Sequence, residues 1–166
     1  GKTVIISTGM ANLEEIRDCV EIYRKNSNNN FILLHCVSNY PCSDQSLNMS
    51  VLPKLASTFN CLVGYSDHSV GHEAAAVSVA LGSVLIEKHF TTDKSLPGPD
   101  QKTSVLPNEF LDMIKAVKKT KLILGTNIKK RQPEENEMAK VSRKSLTLIS
   151  ALRKGAILKK ENVILK

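Results

Sequence analysis

Four short apolar runs recur along the N-terminal part of this chain, and their spacing constrains its fold more than any other feature. They are Lys2–Thr8, Phe31–Cys36, Cys61–Tyr65 and Ser83–Lys88, so a new run begins after roughly 22–30 residues. Apolar side chains recur at helical spacing between the runs. Strands that alternate with helices in this way are typical of right-handed βαβ units and a parallel sheet. The pattern fits either a doubly wound sheet or part of a (β/α)8 barrel.

The helices between the runs are predicted from caps and from apolar periodicity. Asn12 and Glu15 have the spacing of a capping box, which predicts a helix over 12–25. Three more helices are predicted, at 46–58, 72–81 and 110–124. Pro53 has to lie in the first turn of its helix or break it.

The composition is that of a globular domain with a sizeable core, since 42% of the 166 residues are apolar and 23% are charged. No apolar run approaches the roughly 20 residues that a membrane-spanning helix needs, and no signal-peptide pattern opens the chain. The four cysteines lack the spacing of a CxxC pair or a zinc finger, which favours free thiols in a reducing compartment. We therefore expect a cytoplasmic protein without a membrane partner.

The net charge of +7 is unevenly distributed along the chain. Residues 1–100 contain 7 basic and 10 acidic side chains, whereas residues 101–166 contain 16 basic and 6 acidic ones. A basic half is one signature of nucleic-acid binding. The lysines are scattered over a helix and a tail, however, without the aromatic platforms that bind single strands. We therefore expect a solvated basic face and no nucleic-acid partner.

Polar side chains lie at the end of each predicted strand. They are Ser7, Ser38, Ser66 with His68, and Glu87 with His89. Side chains two residues apart in a strand share a face, so each histidine shares a face with the polar side chain two positions before it. Active sites of α/β folds lie at the carboxyl ends of parallel strands. The two imidazoles can therefore converge on one ion at this edge of the sheet.

The character of the sequence changes at Thr126, after which it is mostly polar and charged. Pro133 and the two glutamates that follow it have the pattern of a helix start. The end of the chain has the pattern of a linker that enters another structural unit. We therefore divide the chain into a domain over 1–126 and a linker with the start of a second domain over 127–166.

Six motifs stand in the order in which they occur in one enzyme family. They are STGMA (Ser7–Ala11), LLHCVSNYP (Leu33–Pro41), GYSDHS with the glycine that follows (Gly64–Gly71), EKHFT (Glu87–Thr91), GPD (Gly98–Asp100) and RKSL (Arg143–Leu146). Any one of them alone is weakly specific, whereas the ordered set covers nearly the whole chain. The sequence therefore resembles the sialic acid synthase family, which includes the N-acetylneuraminate, legionaminate and pseudaminate synthases.

This resemblance implies a (β/α)8 TIM barrel, of which the chain matches only the last four βα units. Residues 127–166 would then be the linker and the start of a truncated C-terminal antifreeze-like (SAF) domain. The implied reaction condenses phosphoenolpyruvate with an N-acetylated amino sugar, N-acetylmannosamine or a related one, to a nine-carbon sialic-type acid and phosphate. The resemblance also implies a divalent metal, typically Mn²⁺ with Mg²⁺ as an alternative, and a homodimer whose antifreeze-like domains cover the partners' sites.

The resemblance assigns metal and catalytic roles at the predicted edge. His68 and His89 match the family's two metal-binding histidines, and imidazole suits manganese, zinc or iron. The metal would polarise the aldehyde of the open-chain sugar. Glu87 would act as a general acid or base beside it. A carboxylate that only orients a histidine ligand is the alternative for Glu87.

The resemblance assigns substrate contacts as well. Ser7, Ser38 and Ser66 match positions that contact the phosphate or carboxylate of phosphoenolpyruvate, although the position of Ser38 is Asn in some members. Serines at strand ends also occur simply as helix caps. Tyr40 and Asp100 match residues near the amino sugar. Tyr40 could equally be a turn aromatic, and Asp100 could serve turn chemistry.

The remaining polar residues of the strands receive structural interpretations. His35, inside an apolar strand, is expected to be a hydrogen-bonded core histidine, and Lys88 should point toward the helices. Cys36 and Cys42 are expected to be inert thiols.

Two functions of other kinds stay open at this point. One is a different metal-dependent TIM-barrel aldolase or isomerase, which would explain the histidine pair but not the ordered motifs. The other is a truncated, non-catalytic remnant or binding subunit of a synthase.

Overall fold

The computed structural model describes residues 2–166, and the chain divides into two compact units, Gly1–Gly125 and Thr126–Lys166. The first unit contains, in chain order, β1 (Val4–Ser7), α1 (Leu13–Lys25), β2 (Phe31–His35), α2 (Val51–Phe59), β3 (Leu62–Asp67), α3 (Glu73–Ala80), β4 (Ile86–Lys88) and α4 (Pro107–Leu124). Each strand is followed by a helix, as the spacing of the apolar runs predicts.

All four strands of this unit are parallel and lie in the order β1-β2-β3-β4. The register aligns Ser7 with Leu34 and Gly64. At the carboxyl ends of the last two strands it places Ser66 beside Glu87. The strands curl into half of a barrel with the helices outside. The predicted parallel sheet is therefore confirmed, and of the two architectures that the pattern left open, the barrel is the right one.

The main core lies between the sheet and helices α1 and α2. Its buried members are Ile16, Val20, Phe31, Leu33, Leu52, Leu55, Phe59 and Val63. The predicted capping box begins α1, because Asn12 Oδ1 accepts from the Glu15 amide (3.0 Å) and Glu15 Oε2 accepts from the Asn12 amide (2.8 Å). The Arg24 guanidinium donates to the Phe59 carbonyl and so joins the C-terminal ends of the two helices.

The helix predicted over 46–58 is wrong at its start. It begins only at Val51, because Asn48 has a left-handed backbone conformation (φ 46°) that a continuous helix cannot contain. A separate 3-10 turn over Asp44–Ser46 precedes it. Pro53 lies in the first turn of the shortened helix, where its missing amide proton removes no helical hydrogen bond.

The third and fourth strands also differ from their predicted bounds. β3 continues to Asp67, because its last two residues pair with β4. β4 begins at Ile86 rather than at Ser83, whose hydroxyl donates to the Leu85 carbonyl (2.8 Å) in a local turn. Both differences are at element ends, and the order of the elements is as predicted.

The second unit contains a 3-10 turn over Pro133–Glu135, helix α5 (Asn136–Ser142) and two short strands. These are β5 (Leu146–Leu148) and β6 (Val163–Leu165), which pair in antiparallel register. The predicted helix start at Pro133 is confirmed, since the turn leads directly into α5. The assignment of this unit to an antifreeze-like domain stays a prediction.

Within residues 2–166, no helix is both long enough and apolar enough to cross a membrane. In the same range, the four cysteines are free thiols, as their spacing predicts.

We expect Leu55→Ala to lower the free energy of unfolding by about 2–5 kcal/mol, because it leaves a cavity in a core position that is 0% exposed. Urea denaturation followed by circular dichroism measures this change. Leu122→Ala is the control, since Leu122 is 82% exposed and its truncation should cost less than about 0.5 kcal/mol. Equal losses in the two variants would show that the core is not between the sheet and α2.

Candidate active site

The carboxyl ends of β3 and β4 hold Ser66 and Glu87 side by side on the inner face of the sheet. The Ser66 hydroxyl donates to Glu87 Oε1 (2.7 Å). The two strands can approach this closely because Gly64 has no side chain. A Cβ there would lie 2.7 Å from the Leu85 carbonyl oxygen, closer than real Cβ atoms come to any neighbour.

His68 lies directly after β3 and its ring is held in one orientation. Its Nδ1 is 2.6 Å from the Val37 carbonyl oxygen. A carbonyl only accepts, so Nδ1 carries the proton and Nε2 presents its lone pair to the site. Burial is the largest cause that lowers the pKa of His68, and it outweighs the hydrogen bond to Val37, which raises the pKa. The imidazole is therefore neutral at neutral pH, which is the state that binds metals.

Tyr40 joins His68 to His89. Its ring stacks on the His68 imidazole with centroids 3.8 Å apart, and its hydroxyl contacts Nε2 of both histidines, at 2.9 Å in the case of His89. Burial raises the pKa of Tyr40 to about 12, with a smaller contribution from the negative charge of Asp100. The phenol therefore keeps its proton at neutral pH.

The two imidazoles direct more lone pairs at the Tyr40 hydroxyl than that hydroxyl can satisfy with its single proton. His89 Nδ1 lies 3.8 Å from Asp100 Oδ2, too far for a hydrogen bond, but the negative charge of the carboxylate favours a proton on Nδ1. Both Nε2 atoms then offer lone pairs, whereas the Tyr40 hydroxyl has one proton to donate. Two converging imidazole lone pairs suit a divalent cation, so the donor set fits the predicted metal.

Backbone hydrogen bonds hold both histidines to the loops above the sheet. The Cys42 amide donates to the His68 carbonyl (2.8 Å), and the Val105 amide donates to the His89 carbonyl (2.9 Å). The loop after β2 and the loop after β4 therefore fix the backbone of the pair from two sides.

The structure brings most of the predicted site residues together. The contacts above join Asp100, Tyr40 and both histidines into one group. Ser66 Oγ lies 3.2 Å from His68 Nε2, which adds Ser66 and its partner Glu87 to that group. Ser7 lies exposed at the end of β1, and Ser38 lies in the loop after β2, beside Gly9. Within residues 2–166, no hydrogen bond joins the side chain of either of these two serines to the histidine pair.

The residues described by the structure contain no group of three or more His, Cys, Asp or Glu side chains arranged to hold a metal ion. A metal held by His68 and His89 would keep several coordination positions free for oxygen ligands. Such an open site is typical of catalytic rather than structural metals.

Three side chains near the site have structural environments, as the sequence predicts. His35 is buried, and its Nε2 lies 2.7 Å from the Leu47 carbonyl oxygen, so it is a hydrogen-bonded core histidine. Burial raises the pKa of the Cys36 and Cys42 thiols. Both therefore stay protonated and poorly nucleophilic at neutral pH.

Sequence reasoning missed one feature of this edge, a buried ion pair between Asp67 and Lys88 on the outer face. Lys88 points toward the helices as predicted, but the motifs assign no role to Asp67. The alternation that places Ser66 and Glu87 inward places these two opposite charges outward, at the same register position. That alternation was the signal that could have identified the pair.

Comparison with known proteins identifies the family of the chain. It matches the NeuB family over residues 1–129. It is 43% identical to the N,N'-diacetyllegionaminic acid synthase of Legionella pneumophila, over 98% of this chain and 47% of that protein. It is 38% identical to a pseudaminic acid synthase of Campylobacter jejuni, over 98% of this chain and 47% of that protein. The chain thus spans about half the length of the curated relatives it matches.

The fold of the chain is also similar to that of a solved synthase structure. The N-acetylneuraminic acid (sialic acid) synthetase of Leptospira borgpetersenii serovar Hardjo-bovis, in complex with citrate, superposes with a TM-score of 0.76 at 38% identity. The match covers 84% of this chain and 48% of that one. The half-barrel is therefore of the sialic acid synthase type.

We expect nitrogen-15 NMR at pH 7 to find His68 neutral with its proton on Nδ1, because the Val37 carbonyl accepts from that atom. On acidification the ring should remain neutral below the ordinary pKa of 6.5, since burial opposes its charging. His68→Gln assigns the resonance. A proton on Nε2, or a pKa above 6.5, would contradict the arrangement that presents a lone pair to the site.

Proposed function

This chain belongs to the NeuB family, and on that premise we propose that it carries the metal-binding half of a sialic acid synthase-type active site. The proposed reaction condenses phosphoenolpyruvate with an N-acetylated amino sugar, such as N-acetylmannosamine, to a nine-carbon acid and phosphate. The observation that supports this most is the convergence of His68 Nε2 and His89 Nε2 on the Tyr40 hydroxyl at the carboxyl ends of the strands.

His68 and His89 would hold a divalent cation, for which we propose Mn²⁺ because imidazole and oxygen ligands suit it. When bound, this cation would supply Lewis acidity toward the aldehyde oxygen of the sugar. The hydrogen bond from His68 Nδ1 to the Val37 carbonyl supports the proposal, since metal-binding histidines usually donate their second nitrogen in this way.

Glu87 is the proposed proton carrier. Carbon 3 of phosphoenolpyruvate attacks the aldehyde carbon, whose oxygen takes up a proton, and water adds at carbon 2 and loses a proton before phosphate leaves. Glu87 is exposed, and one of its oxygens accepts from Ser66. Its other oxygen is free to exchange a proton with a substrate or water.

Five side chains are proposed to bind the substrates. The hydroxyls of Ser7, Ser38 and Ser66 would donate to the phosphate or carboxylate oxygens of phosphoenolpyruvate. Tyr40 and Asp100 would hydrogen-bond the hydroxyl and amide groups of the sugar. In the complete enzyme we propose a homodimer, in which a C-terminal domain of the partner covers the site and excludes water.

A non-catalytic binding half is the second candidate. It is favoured by one observation, that both histidines and the Tyr40 hydroxyl between them lie within this chain, so the pair is assembled without any other segment. Such a protein would bind metal and form no product, so metal binding and turnover have to be measured separately.

We expect the purified chain to bind Mn²⁺ in a calorimetric titration and to lose that binding in His68→Ala and in His89→Ala, because each removes one of two protein ligands. His72→Ala is the matched control, since His72 lies at the start of α3 outside the pair and its loss should leave the affinity unchanged. A folded chain that binds no Mn²⁺, or one that His72→Ala weakens equally, would contradict the proposed site.

Phosphate release from phosphoenolpyruvate, with N-acetylmannosamine as acceptor, tests the reaction itself. Glu87→Gln should lower the rate about 10²–10⁴-fold, because the amide cannot transfer the proton. Glu21→Gln, on the exposed surface of α1, is the control and should keep the rate of the parent chain. Metal binding without phosphate release in the parent chain would instead identify the binding half.

A further inference from the structure

A buried ion pair joins β3 and β4 on the face opposite the histidines. Asp67 and Lys88 are register partners, and Lys88 Nζ lies 2.9 Å from Asp67 Oδ2. Their side chains are 0% and 2% exposed. Asp67 Oδ2 lies beside this ammonium but accepts no hydrogen bond in the described part of the chain, so its contact with Lys88 is an ion pair. The proposed reaction makes no use of this pair.

The hydrogen bonds of this pair surround the backbone of His68. Asp67 Oδ1 accepts from the Tyr65 hydroxyl (3.3 Å), the Ser69 amide (2.9 Å) and the Ser69 hydroxyl (2.7 Å). Lys88 Nζ donates to the Ser69 carbonyl (2.5 Å) as well as pairing with Asp67. One ammonium group therefore contacts both sequence neighbours of His68, and its own residue directly precedes His89.

Stability alone does not account for such a pair. Two charges that are fully desolvated lose hydration, and apolar replacements of similar size often leave a protein equally stable or more stable. What apolar side chains cannot supply is direction, because a charge-assisted hydrogen bond fixes the donor and the acceptor in one geometry. The hydrogen bond from Lys88 Nζ to the Ser69 carbonyl is of this kind, and the ion pair with Asp67 holds the ammonium beside that carbonyl.

β3 and β4 are thus joined to each other on both faces of the sheet, immediately before the histidines. Ser66 bonds Glu87 on the inner face, and Asp67 pairs with Lys88 on the outer face. Because these two links lie on opposite faces, they restrain both the separation of the strand ends and their rotation. The positions of the His68 and His89 rings follow from the strand ends that carry them.

We infer that Lys88, together with Asp67, is a positioning residue that sets the distance between the two imidazoles of the proposed metal site. The inference rests on the proposed function for its consequence, metal affinity. The distance between the imidazoles is a property of the protein alone, so it can be measured without metal.

The test uses the double variant Asp67→Asn/Lys88→Met. It removes both charges together, so that neither is left buried without a partner, and Asn keeps an acceptor for Tyr65 and Ser69. Lys94→Met is the matched control, because Lys94 Nζ also lies 2.9 Å from a carboxylate oxygen, of Glu109, but that pair is exposed and far less restrained. Circular dichroism and urea denaturation first establish that each variant is folded.

Two measurements then follow on the folded variants. Without metal, NMR should show nuclear Overhauser contacts between the Tyr40 ring and both imidazoles in the parent chain, whose ring centroids are 3.8 and 4.5 Å from that of Tyr40. These contacts should weaken in the double variant and persist in Lys94→Met. With metal, the double variant should bind Mn²⁺ about 10–100-fold more weakly, and its Co²⁺ complex should have a changed visible spectrum.

The outcomes separate this inference from the proposed function. A folded double variant with the ring contacts, the Mn²⁺ affinity and the Co²⁺ spectrum of the parent would overturn the inference and leave the metal site standing. A parent chain that binds no metal, but whose ring contacts weaken in the double variant, would overturn the metal site and support the positioning role. A change of the same size in Lys94→Met would also overturn the inference, since it would show a general effect of charge.

Discussion

The close approach of β3 to β4 at Gly64 is the constraint on which the site depends. Without a side chain at this position, the backbone of β3 lies against the carbonyl of Leu85, the residue directly before β4. The register that results brings Ser66 to Glu87 on one face and Asp67 to Lys88 on the other. Each polar group at the strand ends therefore has its partner on the neighbouring strand, and the two histidines leave the sheet at a fixed separation.

The protonation states of His68 and Tyr40 decide which atoms of the site donate hydrogen bonds and which accept them. The Val37 carbonyl keeps a proton on His68 Nδ1, and burial keeps the ring neutral. Tyr40 also stays protonated because burial raises its pKa. Backbone geometry and burial thus set the groups around the pair as donors and acceptors, which preorganises the edge for the cation that we propose.

The order of strands and helices could be predicted from the sequence because each element repeats one simple pattern. Alternation within the strands also predicted that the histidines share faces with Ser66 and Glu87, and that Lys88 points outward. Alternation could not place Tyr40 between the imidazoles, because Tyr40 lies on a loop and reaches His68 across 28 residues of chain. The helix start near Asn48 was missed for a similar reason, since a single left-handed residue leaves no periodic signal.

The roles of the site residues came from the ordered motifs, and patterning alone would have left a histidine pair with several possible functions. The ion pair between Asp67 and Lys88 is the opposite case. The strand pattern predicts that the two side chains share a face, although no motif assigns a role to Asp67. Opposite charges at equivalent register positions of adjacent parallel strands are a signal that the amino-acid sequence itself carries.

Inner and outer residues alternate along the last residues of β4, with Glu87 inward, Lys88 outward and His89 again at the site. Gaining or losing one residue in this segment would shift every later side chain to the opposite face. The buried ammonium would then lie on the inner face and the imidazole would leave it, so one event would remove both the proposed ligand and its proposed support. The length of this segment is therefore fixed, together with the order of its inward and outward side chains.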